Sequence, residues 1–557
     1  MKLIRLQINE RFRSLHKGFR MDFHPPYFSK ELNNFSPFCF VGLNGSGKSN
    51  ALEALAAIFY HLECCSTQYL PNNFRKQFDP SISTPDAFEL EYFIKPRSRD
   101  YRAIENKPFE HIKILKERRK EPKVYIKVSD DFLLVDESIQ DYLPEIVVGY
   151  SSGENEILSL PFFKTRFIHF DEYVQSIANN EFYTEPENSL LYIDSSMSQA
   201  VMLANFLLQK EAVWATFAEN LQVEAITEFR LLIRELRPIK LSYEGIKTLT
   251  PKERAREEKK EDGKFEREIT YNLRNSIESL KDCATCWYLD DELNELVLDY
   301  KVDSHTRQAF AKHFKSPFEL FRTFQVLLTL NLYQVTEPIK NAVYESGSLY
   351  VNETIPQPQS DQRIFRIKHF SIKKRHVEIP ILSKNLSDGE HQFLHTMGIC
   401  LLLQHSSALF LLDEPETHFN PEWRALFIDT LRMCLETSGK GDHLLRDILI
   451  TSHSPFIISD CLPDNVSIFR RNKETNYEVV CAAPDFNTFG TSINIITNKI
   501  FGNKASIAKH ALNKLSEFRE RYSNGEEADA LQREIDMEMG DSIEKHLFLK
   551  RLYPAEK

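Results

Sequence analysis

Apolar and polar residues alternate through the opening stretch MKLIRLQINERF, a period of two that predicts a strand. The apolar run 38–41 predicts a buried strand, and NALEALAAIFYHLE, residues 50–63, carries apolar residues at helical spacing. Short apolar runs at 146–148, 408–412 and 448–451 have the form of buried parallel strands. Between them, residues 198–236 are amphipathic, 252–268 are highly charged and broken by a glycine, and 269–280 and 317–333 read as helices, the second returning the chain to the first fold unit. Long regular heptads are absent, and about 200 residues shared among several helices at 1.5 Å per residue make a compact arm or lid, not a long coiled arm. Charged helices follow through residue 538. The pattern predicts an α/β chain.

Composition narrows the class. A chain of 557 residues that is 42% hydrophobic can bury a large core, and its length alone suggests two to four domains. No run of eighteen apolar residues occurs and the alternating start does not read as a leader, so a cytoplasmic protein with no membrane partner is expected. Nine scattered cysteines, an odd number, fit reduced thiols. Cys283-x-x-Cys286 lacks the second pair that a tetrahedral zinc site needs. A net charge of −11 argues against a broadly basic nucleic-acid face. The local basic runs 113–120 and 373–375 read as solvated surface.

The candidate chemistry begins in the turn between the first buried strand and its helix. Gly42, Gly47, Lys48 and Ser49 meet the pattern G-x-x-x-x-G-K-[ST], with Asn44, Gly45 and Ser46 inside the loop and Asn50 after it. Small residues let successive N–H groups curl around a phosphate at the positive end of a helix. Lys48 would reach the β and γ phosphates of ATP, and the Ser49 hydroxyl would ligate Mg2+. More than three hundred residues later, the strand 408–412 ends in Asp413-Glu414, two carboxylates at the end of a parallel strand where ligands bind. Asp413 would hold Mg2+ and Glu414 would orient or deprotonate the attacking water. Leu386-Ser387-Asp388-Gly389-Glu390 opens a helix 27 residues before Asp413; Ser387 and the N–H groups near Gly389 are placed to bind an anion, and Ser387 with Glu390 also forms a capping box. His453, in SHSP after the strand 448–451, could hydrogen-bond a γ-phosphate oxygen.

In this order, the P-loop, LSDGE, LLDEPETHFNP and TSHSP resemble the ABC-type ATPase head of SMC proteins, RecF and the OLD nucleases. The resemblance covers roughly residues 1–60 and 380–460, and the opening LIRLQINERFRSL resembles the first strand and adenine-side segment of such heads. It implies that 42–50 is Walker A, Ser387 to Glu390 the signature, Asp413 Walker B, Glu414 the catalytic glutamate, 418–421 the D-loop and His453 the switch histidine. YSSGEN, residues 150–155, resembles a signature but no DE-bearing strand follows it; the Q-loop glutamine has no clear position beyond Gln140.

The expected architecture is an ABC-type P-loop ATPase head in two lobes, 1–156 and 361–485, with a mainly helical insertion at 157–360 and a helical tail at 486–557. In such heads the signature of one subunit closes over ATP held by another, which implies a homodimer or higher even oligomer formed through an ATP sandwich. The tail has DMEMGD where OLD nucleases carry an Asp-x-Asp strand, so the effector is expected in another protein. Length, short arm and tail resemble the PtuA family of ATPases from Septu and Septu-like retron anti-phage systems. That resemblance implies an HNH nuclease partner of the PtuB kind and, in retron versions, a reverse transcriptase with its RNA–DNA product. An OLD-like autonomous nuclease and an SMC- or RecF-like ATP-dependent DNA clamp are the alternatives.

Overall fold

Apolar runs separated by hundreds of residues lie side by side. The computed structural model describes residues 1–27, 34–66, 70–97, 109–135, 139–152, 158–181, 189–210, 221–234, 238–258, 265–346, 355–356, 358–404, 406–436, 444–472, 478–502 and 506–553. Strands are numbered in chain order. β3 (Phe38–Gly42) lies between β18 (Asp447–Ser452) and β19 (Val466–Asn472) and runs parallel to both. β17 (Ala408–Asp413), β8 (Ile146–Ser151) and β9 (Leu190–Tyr192) continue the parallel sheet beyond β18, and antiparallel β20 (Glu478–Ala482) closes its other edge. Every residue of β3, β17 and β18 is buried, because helices and a second sheet cover both faces; their central residues are therefore continuously apolar and the polar ones, Asp413, Asp447, Thr451 and Ser452, fall at strand ends.

The second sheet is antiparallel, in the order β2 (Phe19–Asp22), β1 (Lys2–Ile8), β4 (Phe88–Ile94), β5 (Glu110–Lys116), β6 (Lys123–Val128), β7 (Asp131–Leu134). Its inward residues Leu6, Leu90 and Ile114 share a core with Ala51, Leu55 and Ile58 of helix Lys48–Ser66 and with Val147, Leu409 and Leu449 of the parallel sheet. The helix is thus clamped between two sheets.

A third, antiparallel sheet runs β13 (Cys286–Asp290), β14 (Glu295–Lys301), β10 (Val223–Arg234), β15 (Phe365–Lys374), β16 (Ile381–Leu382). β11 (Ile239–Lys240) and β12 (Glu266–Arg267) pair as a small ribbon. The stretch 157–360, expected to be mainly helical, therefore supplies six strands as well as helices such as Leu160–Ala178, Ser198–Leu208 and Pro317–Thr329. Helices still predominate there among the described residues, and irregular pairing hides the longest strand from the sequence. β10 shifts register against β15 at three places between Val223 and Arg230, which puts buried Val223, Ile226 and Phe229 three residues apart, as in a helix. Nor is this stretch a projecting arm: Ile226, Phe229 and Leu231 share one core with Phe393 and Met397 of helix Asp388–Leu402 and with Phe410 of β17.

In the tail, helix Ile493–Phe501 sends Ile496 and Ile500 into that same core, while helices Lys509–Ser523, Ala528–Glu538 and Ile543–Leu552 close a small core around Phe518, Ile535 and Phe548. Among the described residues no helix is long and apolar enough to cross a membrane. Cys283 is buried whereas Cys286 is exposed. Several cations of the basic runs are paired: buried Lys116 with Asp86 at 2.8 Å, Lys113 with Glu89 at 2.8 Å, and Lys373 with Glu224 at 3.1 Å.

Candidate nucleotide site

The end of β3 turns into helix Lys48–Ser66 through a loop whose fit depends on missing side chains. At Gly47, φ is +99° and a Cβ would lie 2.9 Å from Ser14 Oγ, so the turn admits glycine alone. Asn44 and Gly45 are exposed, and the Gly45 carbonyl accepts from Arg471 Nε at 2.8 Å. Asn50 accepts from Ser14 Oγ at 2.7 Å and donates to Glu53, which Arg13 holds at 2.9 Å; the segment before β2 thus braces the first turn of the helix.

Lys48 folds back under the loop. Its Nζ donates to the carbonyls of Gly42 at 3.3 Å and Leu43 at 3.4 Å and lies 2.9 Å from His453 Nε2. Burial lowers its pKa, which nearby Glu414 and Asp413 partly offset. Ser46 Oγ is buried with no hydrogen-bond partner, an orphaned donor inside the loop. A loop with an unpartnered hydroxyl and a lysine satisfied only by carbonyls and a histidine fits a phosphate chain.

The acids stand at the neighbouring strand ends. Asp413 Oδ1 accepts from Ser49 Oγ at 2.9 Å and from Thr451 Oγ1 at 2.5 Å, and Thr451 Oγ1 in turn accepts from the Glu414 amide at 3.0 Å. One chain of bonds therefore joins the ends of β17 and β18 to the helix after β3. Burial raises the pKa of Asp413 against these bonds. A serine hydroxyl and a buried carboxylate that touch each other form an oxygen donor pair suited to Mg2+.

Glu414 has φ +49°, an uncommon backbone conformation for a residue other than glycine. Its Oε1 lies 3.3 Å from His453 Nε2, and that contact lowers the Glu414 pKa. Nε2 consequently faces a donor, Lys48, and an acceptor, Glu414. Unprotonated, it accepts from Lys48; protonated, it donates to Glu414.

The signature residues stand apart. Ser387 is the exposed N-cap of helix Asp388–Leu402 and forms the full capping box with Glu390. Lys374 donates to Glu390, whose pKa is lowered: burial works against the carboxylate, and the bonds from Lys374 and Ser387 outweigh it. A Cβ on Gly389 would lie 2.8 Å from the His418 carbonyl, so glycine lets the helix start approach the expected D-loop. Among the described residues, no hydrogen bond or ion pair joins Ser387, Gly389 or Glu390 to the loop 42–49 of their own chain.

Several contributors were not foreseen. Thr451, Ser452, Glu416 and Ser14 lie within the quoted motifs but were given no role there, and Arg471 lies outside them. Glu416 is buried, accepts from Ser452 Oγ, and leaves Oε2 without a partner; burial pushes its pKa up to about 7. Ser452 Oγ also accepts from the Ser454 amide at 2.9 Å, which ties the His453 turn to the acidic turn. Ser152, from the signature-like YSSGEN, donates to the Glu414 carbonyl and lies 2.9 Å from Thr417 Oγ1; residues 153–157 lie outside the described residues. Gln140 lies on the short helical turn Ile139–Tyr142 ahead of β8.

A buried parallel sheet, a glycine-rich loop running into a helix and an acidic strand end beside it make an α/β fold with the layout of a P-loop nucleotide site. Residues 234–459 match the family model described as "AAA domain, putative AbiEii toxin, Type IV TA system". That span holds the signature, Asp413, Glu414 and His453 and begins after the phosphate loop. No curated protein matches the sequence. Solved structures similar to the chain include the SMC head domain from Thermotoga maritima, at 11% identity and a TM-score of 0.30, covering 87% of this chain and 100% of that one. The Smc head domain with a coiled coil and joint derived from Pyrococcus yayanosii is 11% identical with a TM-score of 0.33, covering 90% and 99%. Likenesses this remote carry no functional weight.

Proposed function

We propose that the chain is an ATP-binding and ATP-hydrolysing subunit that pairs with a second copy around ATP and Mg2+ and controls a partner nuclease in anti-phage defence, as the PtuA family does. The observation that carries the pairing is the separation just described. Lys48, Ser49, Asp413, Glu414 and His453 interlock within one chain, whereas exposed Ser387 and half-buried Gly389 make, among the described residues, no bond to them. A head-to-tail pair with two-fold symmetry would bring each signature over the other chain's loop.

ATP and Mg2+ supply the phosphoanhydride and the neutralisation of its oxygens. Lys48 exchanges its carbonyl partners and His453 for phosphate oxygens, with Ser46 and the loop amides as further donors. Ser49 and Asp413 would hold the cation. His453, released by Lys48, would on gaining a proton at Nε2 donate it to Glu414 or to a γ-phosphate oxygen, and Glu414 would orient the attacking water. The family model's own description, an AbiEii toxin of a Type IV TA system, is in keeping with a defence role.

Native mass spectrometry of the protein expressed with its neighbouring genes tests both parts. A nuclease bound to an even number of these chains, released when ATP is removed, is the expected result. An ATP-dependent dimer without a protein partner would instead favour a DNA clamp. Glu414→Gln should trap a nucleotide-bound dimer, and a variant that remains monomeric in saturating ATP and Mg2+ would refute the sandwich.

A further inference from the structure

Among the described residues, β13 is an outer strand of the third sheet and pairs only with β14. Trp287, Tyr288 and Leu289 are three consecutive large apolar residues, 52%, 49% and 54% exposed. Alternation sends Trp287 and Leu289 to one face of the sheet and Tyr288 to the other, so the strand stands clear of the fold on both faces. Edge strands are ordinarily blunted by proline, lysine, a bulge or a covering segment. β13 contains no proline or lysine and keeps an unbroken register with β14 from Cys286–Asp299 to Asp290–Glu295.

The charge around this edge is one-sided. Residues 278–299 hold seven acids and one base. The base, Lys281, lies over the Trp287 ring at 4.8 Å and pairs with Glu278 at 2.7 Å. Glu295 and Asp299 are answered from β10 and β15, by Arg234 and Arg366 and by Arg230. Asp291 and Glu292, at the turn where β13 ends, are exposed. A second copy of β13 paired antiparallel would set each acidic turn beside residues 284–286, where no base answers it, and would join two chains each at −11. A basic occupant matches both the apolar strip and its acidic flank.

We propose that β13 is a docking edge for an extended segment of a partner protein in which apolar residues alternate with Lys or Arg, added to the sheet as a sixth strand. Backbone bonds would supply affinity, and the acidic turn would select the segment's charge. The site is remote in sequence from every nucleotide-site residue, and the proposal does not depend on the ATPase reading; its test leaves nucleotide out.

A displayed library of random twelve-residue peptides is selected on the full-length protein. Two variants serve as controls: Trp287→Lys with Leu289→Lys, which guards the edge, and Asp291→Lys with Glu292→Lys, which reverses only the flank. All four positions are exposed and both variants should melt like the parent. Enriched peptides should alternate apolar and basic residues, protect the amides of 286–290 from hydrogen exchange, and lose affinity about tenfold on either variant. Failure to enrich any peptide, enrichment without alternation, or full affinity for the edge-guarded variant would overturn the proposal. So would nucleotide-free dimerisation abolished by Trp287→Lys with Leu289→Lys, which would make a second copy the occupant.

Discussion

The loop half and the signature half of the nucleotide site differ in how they are held. Around Lys48 and Asp413 nearly every polar group is spoken for by another strand end: Ser49 and Thr451 on Asp413, His453 between Lys48 and Glu414, Ser452 on Glu416. Around Ser387 the bonds are local, a capping box within one helical turn plus Lys374 from β15. The first half is preorganised by the sheet and changes only if strand ends move. The second is a finished helix start with an exposed cap that makes, among the described residues, no bond to the first.

The contrast can be broken from either side. The largest effect is expected for Lys48→Ala, which should lower ATP hydrolysis on the order of 100-fold or more, as loss of one buried charge donor does at a phosphoryl centre. Ser387→Arg should lower it comparably while leaving nucleotide binding to the isolated chain intact, checked by fluorescent-nucleotide titration. If the halves act across a pair of chains, mixing the two inactive variants should regain roughly a quarter of parental activity, since about half the dimers are mixed and each holds one sound site. No regain on mixing would mean that both halves serve one chain.

The next effect concerns stability. Glu416 carries a folded pKa of about 7, above the usual carboxylate value, so its neutral form is favoured in the fold. Its contribution is fully present below about pH 4.5 and is lost as pH rises through 7. Glu416→Gln, which cannot ionise, should therefore match the parent near pH 4.5 and exceed it at pH 8 by up to about 3 kcal/mol, read from denaturant melts at both values. An equal difference at both pH values would show that packing, not charge, sets the effect. The smallest change is Ser387→Ala, which should cost about 1 kcal/mol by removing the cap.

Much of this was legible because buried parallel strands cannot alternate. The runs at 38–41, 408–412 and 448–451 are apolar without a break, and each ends at chemistry. The Ser387–Glu390 box was legible because cap residues recur at a fixed offset. Thr451 and Glu416 were not, since a threonine at the end of an apolar run and a second glutamate after Glu414 gain meaning only when β17 and β18 are adjacent. The five-stranded sheet was missed for a different reason. Bulges along β10 erase the period of two, and the strand's true partner, β15, lies some 140 residues away.

The position of β3 bears on how the protein comes into being. Both of its neighbours, β18 and β19, are more than 400 residues later in the chain. At the usual pace of roughly 5–20 residues per second, a ribosome that has made the phosphate loop needs roughly 20–80 s to make the strands that flank it. Until then Asp413, Glu414 and His453 do not exist beside Lys48. Nascent chains therefore cannot assemble the cluster of Lys48, Asp413, Glu414 and His453 before the last strands of the sheet are made.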